Sequence, residues 1–484
     1  MRTITQERTK VIATIGPACN DGDSLRAFVH SGIDLIRFNA SHNSDYAYLK
    51  PLVDTIRKHA EGQQRHIGLL MDLQGPKIRV GTFKKPETKI VDGQSFVLSM
   101  DKHEGDEQSA YVSYPTLVDD IKKGDPVYID DGKIQLIVER VEKRSVLCNV
   151  TRGGILTNKK GVNLPRTRMS FSPFTSKDQA DVLTAIKLGM DYLALSFVSD
   201  EQDIDELKAF LKQHNAEHIK VIAKIERQRA VDHLKSIIEK SDAVMVARGD
   251  LGVEVGVEKV PKLQKKIIRE CNRRIKPVIV ATQMLESMIQ SETATRAEVS
   301  DVAYAVYEHC DSVMLSAETA VGINPPNAVS SMRSICLATD EHKMEMRQEY
   351  EYVLKNVFDS PSRATSFCTA ANQIAEDTKS TAIMVFTSSG TTPLVASKLK
   401  SSFPIIAPTD QGYICRQMAL FRGVTPMMMP KPFKQIENWT AMISMAVEEA
   451  KRLGFLETGD TIVVTAGIPL GQSNGINSIR IITV

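Results

Sequence analysis

The sequence predicts an α/β protein built on a TIM-type (β/α)₈ barrel, with an inserted small β-barrel lid domain and a C-terminal α/β domain. Three observations lead to this prediction. Eight short apolar segments alternate with segments of helical periodicity, as in parallel βα units. One connection between these segments is far too long for a βα loop and has a β-rich texture. A second α/β series follows the eighth segment.

The eight strand-like segments are evenly spaced except at that one connection. They cover residues 11–15, 34–39, 67–73, 192–198, 221–226, 243–247, 277–282 and 312–316. Helical patterns lie between them, including 200–215, 260–274 and 295–310. We expect Thr295 to cap the last of these helices, because Glu298 follows at the spacing of a capping box. Eight parallel strands alternating with helices are typical of a closed barrel.

The long connection predicts an inserted all-β domain over residues 76–171. Its short β-rich stretches are separated by tight-turn signals at 93–94, 123–126, 131–132 and 153–154. Such stretches favour short antiparallel strands. The barrel is then expected over residues 1–75 and 172–343.

The remainder, residues 344–484, predicts a third domain with a small open α/β sheet. After a helix at 327–341, further helices are expected at 365–377, 392–401, 415–421 and 441–453. Strands are expected at 382–387, 404–408, 461–465 and 478–483.

The composition narrows the class of protein. The chain has 484 residues, 42% hydrophobic and 25% charged, with a net charge of +2. So small a net charge argues against a nucleic-acid-binding surface, which needs clustered positive charge. No apolar run reaches the roughly 18–20 residues that cross a bilayer, so no membrane partner is expected.

The cysteines and the N-terminal residues indicate a cytoplasmic protein. There are seven Cys, an odd number, and no Cys-x-x-Cys pair. This pattern argues against a disulfide framework or a zinc ribbon. No apolar segment of a secretory signal follows the first basic residues.

Polar and charged side chains end the predicted barrel strands, where such barrels carry their active sites. They are Arg37 and Asn39, Asp72, Lys224 and Glu226, the 248–250 segment, Thr282 and Gln283, and Ser316 with Glu318. Any one of them could be a structural ion pair or a solvated loop residue. A whole ring of them favours a binding site, because buried charges are costly unless paired or ligated.

The segment Lys224-Ile225-Glu226 carries the most specific chemistry. Residues two apart on a strand point to the same side, so an ammonium and a carboxylate enter the barrel mouth together. Asp250 follows the next strand, and two carboxylates suit Mg²⁺, which uses few protein ligands plus substrate oxygens. A Lys beside that metal can stabilise a transferring phosphoryl group. The alternative is a plain Lys224–Glu226 ion pair.

The residues that follow the predicted strand 243–247 predict a short helix that starts near Gly249. The free backbone N–H groups at such a start can bind a carboxylate or a phosphate. The five-residue motif RGDLG at 248–252 is a weak indication of such a site on its own.

Across almost its whole length, the chain resembles pyruvate kinase. The resemblance is carried by blocks in the family's order: TKVIATIGPA at 9–18, RFNASH at 37–42, AKIE at 223–226, MVARGDLG at 245–252, ATQMLESM at 281–288 and MLSAET at 314–319. The lid carries a further match, NKKGVNLP at 158–165. Ala40 departs from the more usual Phe.

The resemblance implies phosphoryl transfer from phosphoenolpyruvate to ADP, followed by protonation of the enolate to pyruvate. It implies that Glu226 and Asp250 bind Mg²⁺ or Mn²⁺, that Lys224 stabilises the transferring phosphoryl group and that Arg37 holds phosphate. The substrate carboxylate would contact Gly249, Asp250 and Thr282.

Further roles are implied by the same resemblance. Thr282 would lie near the site of protonation, with Ser316 and Glu318 nearby; which group gives the proton is left open. The ADP/ATP phosphates would lie beside Asn39, His42, Arg79 and Lys160. The lid would close over substrate, and the assembly would be a homotetramer.

One departure concerns potassium. Many relatives hold K⁺ with residues equivalent to Asn39, Ser41, Asp72 and the next position, which here is Leu73. Leu73 lacks a ligand oxygen, and Lys77 stands where those relatives have an acidic residue. A fixed ammonium can take the electrostatic place of the ion. The pattern resembles the potassium-independent branch; the alternative is that Lys77 is only an exposed hinge residue.

In the third domain, residues 387–392 follow a predicted strand and open a helix. Hydroxyl groups, a Gly and a helix N-terminus are typical of a phosphate-binding loop. The family's sugar-phosphate effector site uses this loop, so a phosphorylated allosteric effector is expected to contact Thr387, Ser388, Ser389, Gly390, Thr391 and Thr392. Thr391 replaces a basic residue of some relatives, which disfavours fructose 1,6-bisphosphate. A plain capped helix is the alternative.

Two other functions use similar residues. A lyase or mutase barrel acting on pyruvate or phosphoenolpyruvate also places carboxylates at adjacent strand ends, but it lacks the lid motif with Lys159 and Lys160. A catalytically dead metabolite sensor would not need to keep the phosphoryl-transfer residues Lys224, Glu226, Asp250 and Thr282.

Overall fold

A computed structural model describes residues 8–165, 167, 169–170, 172–346, 362–399, 401–468 and 475–484. The eight predicted barrel strands form, in chain order, one closed parallel barrel in which the last strand pairs with the first. Their bounds are Lys10–Thr14, Leu35–Asn39, Gly68–Asp72, Tyr192–Leu195, Lys220–Ile225, Ala243–Ala247, Val278–Ala281 and Ser312–Leu315. The predicted barrel is confirmed.

Amphipathic helices surround the barrel and bury their apolar faces against the strands. Their bounds are Gly22–His30, Tyr46–Gly62, Ser176–Leu188, Glu201–Gln213, Gln228–Asp232, Leu234–Lys240, Arg248–Val255, Val260–Arg273, Arg296–Tyr307, Ala317–Ala320 and Pro325–Glu345, with short 3₁₀ turns at Val257–Lys259 and Glu286–Ile289. The expected capping box is present: the Thr295 hydroxyl accepts from the Glu298 amide, and the Glu298 carboxylate accepts from the Thr295 amide.

The insertion after the third strand is a curled half-barrel. Six strands form one sheet and two more form a small second sheet. The strands are Glu87–Ile90, Ser95–Ser99, Ser109–Tyr111, Pro126–Ile129, Ile134–Val141, Ser145–Arg152, Gly154–Thr157 and Val162–Asn163, with a helix at Leu117–Asp120. One expectation is corrected: Ser95–Ser99 and Ser109–Tyr111 pair in parallel, because a longer loop joins them instead of a tight turn.

The third domain is an open five-stranded sheet with helices on both faces. Its strands are Ala382–Val385, Ile405–Thr409, Val424–Met428, Thr461–Ala466 and Ser478–Thr483, and its helices are Arg363–Asp377, Thr391–Lys398, Gly412–Met418 and Trp439–Arg452, with a 3₁₀ turn at Phe433–Gln435. The strand Val424–Met428 was not predicted, because Pro426 weakens its strand pattern. It lies at the edge of the sheet, where proline is tolerated.

The third domain covers the end of the barrel opposite the strand C-termini. Buried barrel residues such as Ile12 and Leu70 belong to the same apolar cluster as residues of the third domain. Charged contacts add to this interface: Lys398 pairs with the buried Asp311, and Arg416 Nε lies 2.8 Å from Asp191. The opposite end of the barrel therefore stays open, beneath the inserted domain.

The exact domain bounds stay predictions. Residue 171, at the predicted end of the lid, lies outside the described residues, as does the 347–361 segment at the start of the predicted third domain. In the described part of the chain, no helix has the length and apolarity to cross a membrane.

Candidate active site

At the centre of the barrel mouth, one buried carboxylate joins two cations. Asp72, 2% exposed, ends the third strand. Its Oδ2 accepts from Arg37 Nε at 2.8 Å, and its Oδ1 lies 3.3 Å from Lys224 Nζ. Burial alone would raise the pKa of Asp72, but Lys224 and Arg37 hold it below its ordinary value. Arg37 also donates to the Thr14 hydroxyl at 3.0 Å, so three neighbouring strands fix the guanidinium.

Lys224 and Glu226 enter the mouth together from the fifth strand, as predicted from their spacing. Lys224 Nζ lies 2.8 Å from Glu226 Oε1, and both side chains are nearly buried. Burial by itself would lower the pKa of Lys224, but Asp72 and Glu226 raise it above its ordinary value. Lys224 is therefore a permanent cation, suited to stabilising negative charge.

Asp250 follows the sixth strand in the helix Arg248–Val255. Burial and the nearby Glu226 carboxylate raise its pKa to about 6. Lys77, at the start of the lid, lies across a small cleft lined also by Asp250 and Asp131. Partial burial and Arg79 lower the pKa of Lys77, while Asp250 and Asp131 act in the opposite direction.

The carboxylates of Glu226 and Asp250 fit a divalent cation. Among the described residues, Glu226 Oε1 is buried with only the Lys224 ammonium beside it, and the carboxylates of Glu226 and Asp250 repel each other. A cation between them would relieve that repulsion. In the part of the chain that the structure describes, no group of three or more His, Cys, Asp or Glu side chains could hold a metal. A two-carboxylate site is the arrangement Mg²⁺ uses when substrate and water complete its shell.

Thr282 ends the seventh strand in a strained backbone conformation, with φ of 71°. Its hydroxyl accepts from the Gly249 amide at 2.8 Å, which links the ends of the sixth and seventh strands. Arg248 donates to the Thr282 carbonyl at 2.8 Å and pairs with Asp301 at 2.7 Å. The Gly249 and Thr282 predicted to act together are thus in contact.

Ser316 and Glu318 follow the eighth strand, but their side chains differ in burial and in contacts. Glu318 is 1% exposed, and its oxygens accept from the amides of Leu285, at 3.1 Å, and Ser316, at 2.7 Å. It holds two loops together. Ser316 is half-buried and lines a cavity.

That cavity, of about 590 Å³, opens beside Arg37 and Thr282. Its walls combine apolar side chains with the predicted nucleotide contacts Asn39 and His42. Asn39 Oδ1 accepts from the Ser41 amide at 3.1 Å. The cavity is large enough for a flat ring system with a charged end toward Arg37.

Two predicted nucleotide contacts, Arg79 and Lys160, lie on the lid and pair within it. Arg79 donates to the Lys159 carbonyl at 2.7 Å, and Lys160 lies 2.8 Å from Asp130. Neither lines the cavity that holds Asn39 and His42.

In the third domain, the predicted effector loop is a tight turn before the helix Thr391–Lys398. The Thr387 hydroxyl accepts from the Gly390 amide at 2.9 Å, and Gly390 has φ of 79°. Ser388, Ser389 and Thr391 are exposed. Thr387 therefore shapes the loop; Ser388, Ser389 and Thr391 face outward, and Thr392 is half-buried.

One residue at the centre of the mouth was missed. Ser196 directly follows the fourth strand and accepts from Lys224 at 2.8 Å. The rule that barrel strands end in functional residues would have found it, but a serine within an apolar run gave no charge signal.

Comparison with known proteins gives one family. Residues 6–329 match the pyruvate kinase barrel domain, and residues 365–482 match the pyruvate kinase alpha/beta domain. The chain is 37% identical to a pyruvate kinase of Geobacillus stearothermophilus over 481 residues, and 38% identical to one of Staphylococcus aureus over 480; each match covers 98% of this chain and 80% of the relative. A crystal structure of a pyruvate kinase from Cryptosporidium parvum superposes with a TM-score of 0.92 at 32% identity, covering 99% of this chain and 97% of the other.

The chain belongs to the pyruvate kinase family.

Its activity is that of pyruvate kinase, EC 2.7.1.40, which uses phosphoenolpyruvate and ADP in glycolysis. Members of the family typically use a divalent metal. The resemblance inferred from the sequence blocks is confirmed at this level.

The raised pKa of Asp250 predicts a stability cost in the metal-free enzyme. In the unfolded chain the carboxyl ionises near its ordinary value of 3.8, whereas in the folded chain it ionises near 6. Folding therefore loses stability as the pH rises between these values, by about 1–3 kcal/mol at neutral pH. Asp250→Asn should raise the thermal unfolding midpoint at pH 7.5 without metal, and the gain should shrink as the pH falls toward 4. A midpoint below that of the unsubstituted enzyme at pH 7.5 would contradict this.

Proposed function

We propose that the mouth of the barrel transfers the phosphoryl group of phosphoenolpyruvate to ADP with Lys224 at its centre. The supporting observation is the contact of Asp72 with both Arg37 and Lys224. It places two cations side by side, where a phosphoryl group in transfer carries its negative charge. Arg37 holds phosphate oxygens, and Lys224 stabilises the charge that moves.

Glu226 and Asp250 would hold Mg²⁺ or Mn²⁺. When bound, the metal supplies positive charge to the substrate oxygens. The chain's own contribution is to hold the two carboxylates in place. The Phe197 amide donates to Glu226 Oε2 at 2.7 Å and leaves Oε1 directed toward Lys224.

The substrate carboxylate would bind at Gly249, Asp250 and Thr282. Gly249 lies in the first turn of its helix, where backbone N–H groups favour an anion. Thr282 is held close by its bond to Gly249, so its hydroxyl borders the reacting carbon. Glu318 fixes the Ser316 loop. The enolate would be protonated in the space that lies between Thr282 and Ser316.

ADP would occupy the cavity beside Asn39 and His42, with its phosphates toward Arg37. Arg79 and Lys160 would reach those phosphates by closure of the lid, because both side chains now pair within it. Closure would also exclude water from the transferring group.

Lys224→Met tests the role of Lys224. We expect turnover to fall by about 10²–10³-fold or more, because the moving charge loses its fixed cation. Pyruvate formation from phosphoenolpyruvate is measured with and without ADP and Mg²⁺, and Lys89→Met, an exposed lid position, is the control. Unchanged turnover in Lys224→Met, or pyruvate formation that does not need ADP, would overturn the assignment.

We also propose that the enzyme does not require potassium. Leu73 is 1% exposed and supplies no side-chain oxygen, and Asp72 is already paired with two cations. Lys77 lies near Asp250 at the lid cleft, so its ammonium adds positive charge near the substrate phosphate. K⁺ would then lack a complete set of ligands at this site, and its positive charge would not be required there.

Turnover should change by less than about two-fold when K⁺ replaces tetramethylammonium at constant ionic strength. Lys77→Glu should lower the potassium-free turnover, by about ten-fold or more, and make it respond to K⁺. Lys89→Glu makes the same charge change on an exposed lid strand and should not respond. Several-fold activation of the unsubstituted enzyme by K⁺ would rule the proposal out.

The loop of residues 387–392 would bind a phosphorylated effector, and the family resemblance also suggests a homotetramer. Exposed hydroxyl groups of Ser388, Ser389 and Thr391 surround the start of a helix, where amides attract phosphate. The helix Gly412–Met418 follows close by and contacts the barrel through Arg416, so the loop has a physical connection to the catalytic domain.

Thr391→Glu should abolish activation by a sugar phosphate or AMP and leave the basal rate unchanged, because a carboxylate at the helix start repels phosphate. Rates are compared across candidate sugar phosphates and AMP. Thr440→Glu places the same charge at an exposed threonine in the first turn of another helix, and should keep activation. Equal activation of both variants would show that the loop is not the effector site.

A further inference from the structure

The turn after the fourth barrel strand, Ser196-Phe197, touches both side chains at the centre of the mouth. The Ser196 hydroxyl, in a residue 2% exposed, accepts from Lys224 Nζ at 2.8 Å. The next residue, Phe197, donates its amide to Glu226 Oε2 at 2.7 Å. One turn therefore contacts the cation and the carboxylate that the fifth strand brings into the mouth.

The contact with Ser196 is the directional one for Lys224. Three oxygens lie near Nζ: Ser196 Oγ at 2.8 Å, Glu226 Oε1 at 2.8 Å and Asp72 Oδ1 at 3.3 Å. The two carboxylates pair with Nζ through opposite charge, whereas Ser196 is its neutral partner. The Ser196 hydroxyl therefore fixes the direction in which one N–H of the ammonium points.

The hydroxyl cannot turn away from the ammonium without losing a second bond. Ser196 Oγ donates to the Leu73 carbonyl at 2.6 Å. A hydroxyl has one proton, so its lone pairs are left to face Lys224. The Leu73 carbonyl belongs to the segment that leads into the lid, so the orientation of Lys224 depends on that segment as well.

Backbone strain marks the same turn. Phe197 has φ of 58°, a left-handed conformation that bulky residues adopt only when other contacts hold it. Gly75 makes room for it: a Cβ at Gly75 would lie 2.8 Å from Phe197 Cδ2. The strain places the Phe197 amide where it can reach Glu226, so the unusual backbone has an identifiable use.

We propose that Ser196 and Phe197 are positioning residues for phosphoryl transfer. Phe197 holds one oxygen of Glu226, and the other is free to leave Lys224 for a divalent cation. Lys224 then keeps Ser196 as its directional partner, which aims a remaining N–H at the transferring phosphoryl group. The inference rests on the proposed roles of Lys224 and Glu226.

Ser196→Ala tests whether the Ser196 hydroxyl positions Lys224. We expect kcat to fall by about 10- to 100-fold, because a charge-assisted hydrogen bond that orients Lys224 is lost. The KM for phosphoenolpyruvate and the affinity for Mn²⁺ alone should change less than about two-fold, since neither depends on the direction of one N–H. Ser196→Cys, which fills the buried space but accepts hydrogen bonds weakly, should show the same loss.

Ser199→Ala is the matched control. It removes a hydroxyl three residues later that accepts from Arg227 at 3.3 Å, and it should keep the kcat of the unsubstituted enzyme. Thermal unfolding midpoints confirm that all variants fold.

Two results would overturn the inference: an unchanged kcat in Ser196→Ala, or a loss of kcat accompanied by a ten-fold or larger loss of Mn²⁺ affinity. The second would mean that the turn builds the metal site instead of aiming Lys224. Lys224→Met in the same assay separates the two proposals. If it is inactive while Ser196→Ala is unimpaired, only the positioning role fails; if Lys224→Met is active, the proposed role of Lys224 fails.

Discussion

The contact of Asp72 with Arg37 and Lys224 is the interaction on which the whole mouth depends. A carboxylate that is 2% exposed is costly to ionise unless cations replace its water. Here the two cations lower its pKa, and the carboxylate in turn holds them close together despite their mutual repulsion. The charge pattern of these three side chains is therefore built before any substrate arrives, and the three need little reorganisation to receive an anionic group.

The barrel provides this arrangement because neighbouring strands end at the same height. Strands two, three and five deliver Arg37, Asp72 and Lys224, and the turn after strand four lies between the last two. The third domain covers the far end of the barrel and contacts the start of strand four, where the Tyr192 hydroxyl donates to the Gln417 carbonyl at 2.6 Å. The strand that leads to Ser196 is thus held at its start by the third domain and at its end by the contacts of Ser196 with Leu73 and Lys224.

Much of the fold and part of the candidate active site could be predicted from the sequence. Strand periodicity predicted the eight barrel strands, and the two-residue spacing of Lys224 and Glu226 correctly placed both in the mouth. The misses have physical causes. The edge strand with Pro426 lacks a regular strand pattern, and Ser196 acts through a hydrogen bond that composition cannot reveal. The pairing of Lys160 with Asp130 depends on which strands of the lid become neighbours, which a local pattern does not specify.

The balance of charge in the mouth connects the paired side chains, the raised pKa of Asp250 and the demand for further cations. Asp72, Glu226 and Asp250 carry up to three negative charges, while Arg37 and Lys224 carry two positive ones. Burial, together with the charge of Glu226, raises the pKa of Asp250, so the third carboxylate ionises reluctantly without further cations. A phosphorylated carboxylic acid would add more negative charge, so binding it requires additional cations. On the proposed assignment, a divalent metal held by Glu226 and Asp250 would supply part of that charge, and Lys77, which lines the same cleft as Asp250, would supply more. The proposal that the enzyme does not require potassium follows from this balance, because Lys77 would meet the remaining imbalance with a residue of the chain.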